Sequence, residues 1–381
     1  MKENKTTRTL YVISRWIVGL VFLFSSFVKG VDPMGTAYKI QDYMTAWSLG
    51  SLTFEWALPM ALPLALCLVT AEFLVGVLLL TGAWRKVSAW LLLLMMAFFT
   101  VTTFVDALTN KVTDCGCFGD AIKLTNWQTF WKNIILDVPT VVIFLCRRWP
   151  RRGQFERESL VALVAIAAMV IFGLWNVKNE PCIDFRPWKV GNRMIPFDEN
   201  MEVQSFVTYR NTATGATEEF PSGELMQRLA DTSWARLWEF ADSRVVDPYE
   251  IKADGFCMLG PDGEDYAKDI IGNSNYVLIA TVHDLNKIDA AGVRALRASH
   301  TMCVEKRVNM VMLASALDEE VQAFLHDNNL DELIYYTADA TAIKTMLRSN
   351  PGFVLMRDAV VMGKWSVANV GKVLEYPFEI E

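Results

Sequence analysis

Long apolar stretches separated by short polar segments fill the first half of the chain. Five of them reach the roughly 20 residues that a helix needs to cross a bilayer. They cover about residues 10–28, 56–80, 87–108, 127–146 and 159–177. Lys2, Lys5 and Arg8 precede the first stretch, but it is longer than the apolar core of a signal peptide, and no small-residue cleavage site follows it. We therefore predict a retained anchor and an α-helical transmembrane bundle of five spans over residues 1–177.

Short strand-type and helix-type segments replace the apolar stretches in the second half. Residues 178–250 form a predicted connector subdomain, with a hairpin over Phe206–Phe220 that turns at Thr214-Gly215. Behind it, strands are predicted at Tyr276–Val282, Asn309–Ala314, Glu332–Thr337, Phe353–Met356 and Val360–Lys364. Helices are predicted between them at Leu285–Glu305, Asp318–Asp327 and Ala340–Leu347. This alternation, closed by a hairpin, favours a soluble α/β domain with a mixed sheet over residues 251–381.

The net charge changes sign at the same position in the chain at which the hydrophobicity falls. The 381 residues are 52% hydrophobic and 21% charged, and the net charge of −7 is spread unevenly. Residues 1–177 carry 16 basic and 11 acidic side chains, whereas residues 178–381 carry 20 and 32. The chain is therefore neither one soluble domain nor a disordered one, and its acidic soluble part excludes a nucleic-acid partner. Seven cysteines in so long a chain also exclude a small disulfide-stapled scaffold.

The basic residues indicate how the bundle lies in the membrane. With the N-terminus inside, residues 1–9, 82–86 and 147–158 are cytoplasmic and hold 10 lysines and arginines. The opposite loops hold only Lys29, Lys39, Lys111 and Lys123. Cytoplasmic loops are the ones enriched in basic residues. Five spans then place residues 178–381 on the outer side, so we expect a multi-pass protein of a bacterial inner (cytoplasmic) membrane with a periplasmic C-terminal domain.

Three ionisable residues interrupt the predicted spans: Arg15, Glu72 and Asp137. At a rise of about 1.5 Å per residue, all three fall in the cytoplasmic half of the bilayer. An unpaired charge there costs about 2.5–3.5 kcal/mol on insertion scales. We therefore expect Arg15 to pair with Glu72, with Asp137 as a further candidate partner. Two roles stay open for this intramembrane charge cluster: a pair that specifies packing, and a site for a proton or a quinone headgroup.

The loop between the third and fourth spans carries Asp114-Cys115-Gly116-Cys117-Phe118-Gly119-Asp120. Cys115 and Cys117 can close a very small disulfide ring, and strained disulfides are the oxidising, easily exchanged kind. A structural turn and pairing with other cysteines are the alternatives, and Asp114 and Asp120 disfavour the reactive thiolate. Zinc is not expected, because no histidine and no second cysteine pair lie in this half of the chain. We therefore name Cys115 and Cys117 as the candidate redox pair.

The other five cysteines lie in three different parts of the chain. Cys182 follows the fifth span by a few residues, close to the outer membrane surface, and is a candidate exchange partner for the redox pair. Cys67 and Cys146 lie at spans, where a thiol is typically a small apolar filler. Cys257 and Cys303 belong to the outer domain and are expected to be buried. Cys182 therefore joins the redox pair as a candidate catalytic residue.

Several motifs in the first half resemble the membrane family of MauE and DoxX proteins. They are Arg15-x-x-x-Gly19-Leu20-x-Phe22-x-x-Ser25-x-x-x-Lys29, Glu72-x-x-x-Gly76 and Cys115-Gly-Cys117-Phe-Gly119. The resemblance covers about residues 10–146 and implies a four-helix membrane bundle. MauE-type members are linked to methylamine utilisation and to disulfide formation beside a thioredoxin-like partner, and DoxX-type members to quinone-coupled thiol or thiosulfate oxidation. The fifth span and the C-terminal domain depart from the simplest members.

The C-terminal domain resembles a thioredoxin-like fold at two places. Gly255–Glu264 is similar to the segment that leads into peroxiredoxin and TlpA-like domains, and Ser349–Leu355 is similar to the cis-proline segment before the last two strands. The resemblance predicts a cis bond before Pro351. The module is degenerate, because Thr281–Asn286 lacks the Cys-x-x-Cys pair of thioredoxins. His283 in this segment is typical of a hydrogen-bonded structural residue, and a ligand-binding role is the alternative.

Two functions fit these observations. In the first, the protein is an inner-membrane thiol–disulfide redox protein, in which Cys115 and Cys117 pass electrons between a periplasmic thiol partner and a membrane acceptor such as a quinone. In the second, it is a non-catalytic membrane scaffold whose degenerate thioredoxin-like domain binds an envelope protein. The resemblance favours the first, and the missing Cys-x-x-Cys pair favours the second. Lipid and a protein are the expected partners, and a metal is not.

Overall fold

The structure is a computed structural model, and it describes residues 4–46, 55–110, 112, 119–122, 124–149, 154–196, 203–246, 249–253 and 255–378. The chain divides into two compact units. The bundle unit comprises residues 1–189, 347–352 and 365–376, and the sheet unit comprises residues 190–346, 353–364 and 377–381. The bundle unit therefore includes two short segments from the end of the chain beside the apolar N-terminal part.

The apolar part of the bundle unit is helical. Its described helices are α1 (Lys5–Val31), α2 (Pro33–Ala46), α3 (Ala61–Thr81), α4 (Arg85–Thr109), α5 (Asn126–Leu145) and α6 (Phe155–Lys178), with a 3₁₀ turn at Glu55–Met60 ahead of α3. Within the described residues, four segments are long and apolar enough to cross a membrane: Lys5–Val31, Trp56–Thr81, Arg85–Thr109 and Phe155–Lys178. They confirm four of the predicted apolar spans.

Helix α5 covers the remaining predicted span but is more polar, because Lys132, Asn133 and Asp137 lie within it. It begins with a capping box, in which the Thr125 side chain accepts a hydrogen bond from the backbone N–H of Gln128. The helix packs against α4 and α1 in the bundle unit. The count of five spans therefore stays a prediction.

Helices α1 and α3 approach each other closely at two glycines. A side-chain carbon added at Gly19 would lie 2.7 Å from Leu80, and one added at Gly76 would lie 2.9 Å from Leu23. Small residues allow membrane helices to pack with their backbones close together. This contact sets which residues of α1 and α3 face each other.

A small antiparallel sheet lies in the first part of the sheet unit. Its strands are β1 (Gln204–Asn211), β2 (Thr217–Pro221) and β3 (Trp238–Val246), in the order β2-β1-β3, and the short helices α7 (Leu225–Ala230) and α8 (Thr232–Ala235) precede β3. Val207 pairs with Phe220, which confirms the predicted hairpin. Strand β3 was not predicted, because most of its residues are exposed and no apolar alternation marks it in the sequence.

A five-stranded sheet with intervening helices makes up the second part. Its strands are β4 (Val277–Val282), β5 (Asn309–Ala314), β6 (Ile334–Thr337), β7 (Gly352–Arg357) and β8 (Val360–Ser366). Their order is β6-β5-β4-β7-β8, and β4, β5 and β6 run parallel. The described helices here are α9 (Ala267–Ile271), α10 (Ala290–Lys306), α11 (Asp318–Asp327) and α12 (Ala340–Met346). A further short helix, α13 (Val370–Leu374), follows β8 and belongs to the bundle unit. The predicted α/β architecture of the C-terminal region is therefore confirmed.

Two local predictions in this region have different outcomes. The helix expected from Leu285 begins only at Ala290, because the Asp289 side chain caps it by accepting the backbone N–H of Gly292 at 2.8 Å. The preceding residues form a 3₁₀ turn instead. The peptide bond before Pro351 is cis, as predicted.

Candidate functional site in the helical bundle

A buried ion pair lies inside the bundle unit. The Lys29 Nζ and Glu72 Oε1 atoms are 2.7 Å apart, and the two side chains are 8% and 2% exposed. The Ser25 hydroxyl donates a hydrogen bond to the other carboxylate oxygen of Glu72 at 3.1 Å. Ser25 and Lys29 are four residues apart on α1, so they share one helix face. Because a charge in an apolar interior is costly unless it is paired, each member of the pair stabilises the other.

This pairing corrects the predicted one. The Arg15 guanidinium donates hydrogen bonds to the carbonyl oxygens of Leu79 and Leu80, at 2.7 and 3.2 Å, rather than to Glu72. Both carbonyls belong to the last turn of α3, where helical partners are missing and a positive charge is favourable. The predicted Arg15–Glu72 pair is therefore wrong, and Arg15 instead caps the end of α3.

Lys29 is absent from the predicted charge cluster because the apolar stretch of the sequence ends at Val28. Helix α1 continues to Val31 and buries Lys29. The third member of the predicted cluster, Asp137, accepts a hydrogen bond from the Thr100 hydroxyl at 2.9 Å. The three residues of the predicted cluster thus have separate partners. The signal for Lys29 is its four-residue spacing from Ser25, which continues the α1 face that meets α3.

A cavity of about 530 Å³ lies beside the Lys29–Glu72 pair. This volume falls within the range of small-molecule sites. Residues of α1, α2, α3, α4 and α5 form its walls, which are mainly apolar, and the aromatic members are Phe22, Tyr43, Phe98 and Phe99. The Lys29 Nζ atom lies 5.5 Å from the centre of the Phe99 ring, a cation–π distance. This cavity, called the chamber below, therefore has mainly apolar walls that include the Lys29–Glu72 pair.

Hydrogen bonds between helices fix further polar groups of the chamber. The Tyr43 hydroxyl donates to the Asp106 carboxylate at 2.6 Å, which joins α2 to α4. The Asn133 amide donates to the Thr103 hydroxyl at 3.1 Å, which joins α5 to α4. Tyr43, Asn133 and Thr103 all line the chamber. Side-chain hydrogen bonds between helices therefore stabilise the chamber wall in addition to apolar packing.

The cysteine loop, residues 111–124, connects α4 to α5, and its Cys115 and Cys117 lie outside the described residues. Val112 of the loop is described. There the Asn126 amide donates hydrogen bonds to the Asn110 side-chain oxygen at 3.1 Å and to the Val112 carbonyl at 2.9 Å. The first residue of α5 therefore holds the chain as it leaves α4.

The end of the cysteine loop returns to the end of α1. Gly119 has a positive φ of 51°, and a side-chain carbon added to it would lie 3.2 Å from Val28. The Asp120 carboxylate lies 3.6 Å from the Arg348 Nη2 atom. Gly119 follows Cys117 by two residues in the sequence. The described end of the loop therefore lies close to Val28, the residue that precedes Lys29 on α1.

Asp32 connects α1 to α2 and is the main partner of Arg348. The Arg348 guanidinium donates to the Asp32 carboxylate from Nη2 at 2.7 Å and from Nε at 3.0 Å. The carboxylate also accepts the backbone N–H of Gly35 at 2.9 Å, in the first turn of α2. Burial alone would raise the pKa of Asp32, but the positive charges of Arg348 and Arg186 outweigh it and hold the pKa below its ordinary value.

Hydrogen bonds through Asn176 connect Cys182 to the same end of α1. Its backbone N–H donates to the side-chain oxygen of Asn176 at 3.1 Å, and the Asn176 amide donates to the carbonyl of Gly30 at 3.2 Å. The thiol of Cys182 is unbonded and the residue is exposed. Cys182 therefore lies beside the end of α1, and its predicted position close to the outer membrane surface stays a prediction.

A small cavity of about 70 Å³ lies at the end of α1. Pro181 and Ile183, the residues on either side of Cys182, line it together with Gly119 and Asp120 at the end of the loop. Asp32 and Arg348 contribute charged groups to its wall. The residues that flank Cys182 and the residues that follow Cys117 by two and three positions therefore line the same cavity.

The remaining described cysteines differ in exposure. Cys146 and Cys303 are buried, Cys257 is partly exposed, and Cys67 is exposed on the bundle. Burial raises the pKa of Cys303 to about 12. Burial also raises the pKa of Cys257, and the nearby Asp265 and Asp339 charges add to the effect. A thiol with a raised pKa is a poor nucleophile at neutral pH, so these two are inert compared with an exposed thiol.

The described residues add no metal centre and no predicted C-terminal site residue to these two cavities. Among the described residues, no group of three or more His, Cys, Asp or Glu side chains is placed to hold a metal ion. His283 directly follows β4, and Pro351 directly precedes β7. Neither lines the chamber or the small cavity.

The first part of the chain matches a known protein family. Residues 7–146 match the family model described as Methylamine utilisation protein MauE. No curated protein and no solved structure matches the chain. Every described residue that lines the chamber falls within the matched region. Over residues 7–146, from α1 to the end of α5, the chain is therefore similar to the MauE family of membrane proteins.

Proposed function

We propose that the protein is a thiol–disulfide oxidoreductase of the membrane. Cys115 and Cys117 receive electrons from the thiols of a partner protein and pass them to an acceptor within the bilayer. The observation that carries this proposal is the small cavity at the end of α1, because the end of the cysteine loop and the neighbours of Cys182 line it together. The resemblance to MauE-type proteins, which are linked to disulfide formation, supports the same chemistry.

The proposed exchange balances in atoms and electrons. A thiolate of the partner attacks the Cys115–Cys117 disulfide and forms a mixed disulfide with one of the two sulfurs. The second partner thiolate then displaces that sulfur. The partner loses two electrons and two protons as its own disulfide forms, and the cysteine pair takes them up. Cys182 is the candidate relay thiol between the partner and the pair.

The proposed topology places the exchange at the outer face of an inner membrane. Helix α5 packs within the bundle unit and is counted here as the fourth of five spans. Ten basic residues on one side and four on the other set the N-terminus inside. The cysteine loop, Cys182 and residues 178–381 then share the periplasmic side, where disulfides persist.

We assign residues 251–381 a degenerate thioredoxin-like fold that binds a periplasmic protein. The five-stranded sheet with intervening helices supports the assignment. No cysteine follows β4 in Thr281–Asn286, so this domain performs no dithiol exchange at that position. Its role in this proposal is to hold the partner whose thiols are oxidised.

Serine variants of the full-length protein in native membranes test the exchange. Cys117→Ser and Cys115→Ser should each trap a mixed disulfide on the remaining cysteine, visible on non-reducing gels as a heavier band that reductant removes. Cys182→Ser should weaken or relocate the adduct. The matched control is Cys303→Ser, since that thiol is buried. If none of the loop variants traps an adduct, the proposal is wrong.

A non-catalytic scaffold is the second candidate function. The observation in its favour is the absence of cysteine in the segment after β4, which leaves partner binding as the remaining role of the C-terminal domain. In this case Cys115 and Cys117 form a permanent staple. Permanent oxidation of the pair in native membranes, together with a stoichiometric protein in a pull-down, supports the scaffold, whereas a mixed redox population supports the oxidoreductase.

A further inference from the structure

We infer that the chamber binds an anionic phospholipid, with an acyl chain inside it and the phosphate held by Lys39 of α2 and Lys132 of α5. This ligand takes no part in the proposed thiol exchange, and no cysteine contributes to its site. Among the described residues, three lysines and one carboxylate line the chamber: Lys29, Lys39, Lys132 and Glu72. Lys29 and Glu72 neutralise each other at 2.7 Å. The remaining charge of the chamber wall is therefore that of Lys39 and Lys132.

The carboxylates near these lysines leave the positive charge largely in place. Asp42 lies 3.7 Å from Lys39, but the two side chains are 54% and 32% exposed, and an exposed pair interacts weakly. Lys39 also lines the small cavity, where the carboxylates pair with Arg348 and Arg186. Asp106 does not line the chamber and accepts a hydrogen bond from a tyrosine hydroxyl of α2. The chamber wall therefore attracts an anionic head group rather than a cationic one.

The burial of the three lysines gives the ligand a direction. The Lys29 side chain is only 8% exposed, whereas that of Lys39 is 32% exposed and Lys132 is half-buried. Lys39 and Lys132 both lie in the second turn of their helices. Long basic side chains near the ends of membrane helices reach the lipid head groups. The phosphate is therefore placed at the two more exposed lysines, and the acyl chain extends toward the buried ion pair.

The rest of the chamber wall suits an acyl chain. The wall is mainly apolar, and Leu64, Leu68 and Met96 are among its members on α3 and α4. Because Lys29 and Glu72 are paired with each other, the acyl chain meets no uncompensated charge. A ligand with an apolar chain and a single charged end therefore matches both parts of the chamber.

Two lysines on separate helices favour a phosphate as that charged end. Lysine binds phosphate as a point charge, and each ammonium has three donors. The oxygens of a phosphate point in several directions, so different oxygens can accept hydrogen bonds from Lys39 and Lys132. Basic pockets between transmembrane helices bind the head groups of anionic lipids. A zwitterionic head group adds an ammonium that the lysines repel, so phosphatidylglycerol should bind better than phosphatidylcholine.

Lipid binding to the purified, delipidated full-length protein tests the site. Native mass spectrometry compares phosphatidylglycerol and phosphatidylcholine with identical acyl chains, and a phosphatidylglycerol with a photoreactive group at the end of one chain locates the site. We expect preferential retention of phosphatidylglycerol and crosslinks within α1–α5. Lys39→Gln and Lys132→Gln should each weaken binding roughly tenfold, because each removes one charge-assisted hydrogen bond. Lys178→Gln is the matched control, because this exposed lysine ends α6 and does not line the chamber.

A variant that keeps all the charges tests the place of the acyl chain. Leu68 lies in the chamber wall on α3, so Leu68→Trp fills part of the volume and leaves the lysines unchanged. We expect this variant to retain the thermal stability of the wild type within a few degrees and to lose the crosslinks within α1–α5. Unchanged crosslinking in Leu68→Trp would show that the acyl chain lies elsewhere, and the inference would be wrong.

Three further results would overturn the inference. The first is equal binding of phosphatidylcholine, and the second is an equal loss of binding in Lys178→Gln. The third is displacement of the photoreactive lipid by oleate as effectively as by phosphatidylglycerol, since the site would then accept any anionic acyl chain. The serine variants of the cysteines test the proposed function separately. If they trap no adduct, the lipid site stands, and if no phospholipid binds, the thiol exchange stands.

Discussion

Arg348 donates hydrogen bonds from Nε and Nη2 to the carboxylate of Asp32, although the two residues are 316 positions apart in the sequence. Asp32 in turn accepts the backbone N–H of Gly35 at the start of α2. The same guanidinium lies 3.6 Å from Asp120 at the end of the cysteine loop. One arginine from the end of the chain thus joins the corner between α1 and α2 to the loop that carries Cys115 and Cys117.

Removal of this arginine should destabilise the bundle unit. Arg348→Gln leaves the Asp32 carboxylate largely buried without its main partner, which costs about 1–3 kcal/mol or more for a charged group. The measurement is thermal unfolding of the purified protein, followed by tryptophan fluorescence. Lys287→Gln is the control, because its partner is Asp284 on the surface and its side chain is 77% exposed. Surface pairs contribute at most about 1 kcal/mol, so equal effects of the two variants would contradict the prediction.

The Asp32 interaction should make stability fall at acid pH. The pKa of Asp32 in the folded protein lies below its ordinary value of 3.8. A carboxyl with a lowered pKa contributes stability above the ordinary value and loses it as the pH falls through the folded value. The stability difference between wild type and Asp32→Asn should therefore be full at pH 6 and shrink below pH 3.8. A difference that is constant from pH 6 to pH 3 would contradict this, and thermal unfolding at several pH values measures it.

The Lys29–Glu72 pair should behave as a coupled unit. Removing one member of a buried pair leaves an uncompensated charge and costs about 3–5 kcal/mol. Replacing both members removes that penalty, so Lys29→Met combined with Glu72→Gln should be more stable than either single variant. Unfolding of the three variants in lipid, compared as a double-mutant cycle, measures the coupling. Additive losses would show that the two side chains act independently.

The described cysteines should react in a fixed order. Cys182 is exposed, whereas burial raises the pKa of Cys303 to about 12. A membrane-impermeant maleimide applied to spheroplasts should therefore modify Cys182 and leave Cys303 unmodified until detergent unfolds the protein. Peptide mass spectrometry gives the modified positions. Modification of Cys182 only in inverted vesicles would contradict the proposed outer location of the cysteine chemistry.

Local patterns were sufficient to predict much of the fold. Apolar stretches of span length predicted the four apolar membrane helices, and alternating strand and helix patterns predicted β4 to β8. Turn chemistry placed the hairpin around Gly215, where φ is positive. The exposed strand β3 escaped prediction because it is held by pairing with β1 rather than by an apolar face of its own.

The candidate site was predicted only in part. Cys182 could be placed near the end of the bundle because few residues separate it from α6. The partner of Glu72 could not be predicted, because Lys29 lies just beyond the apolar stretch of the sequence, although α1 continues to Val31 and buries it. Depth in the bilayer suggested Arg15 instead, but depth alone does not specify the facing positions of two helices.

The sequence by itself determined the membrane character of the first half and the α/β character of the second, and it supplied the candidate reactive residues. These follow from hydrophobic length, periodicity and residue chemistry, which are local properties. Tertiary structure alone decided that Glu72 pairs with Lys29, that Arg348 reaches Asp32 and that the residues flanking Cys182 share a cavity with Gly119 and Asp120. Such contacts depend on how closely helices approach and on which faces they present, and the glycines at the contact between α1 and α3 set both through packing.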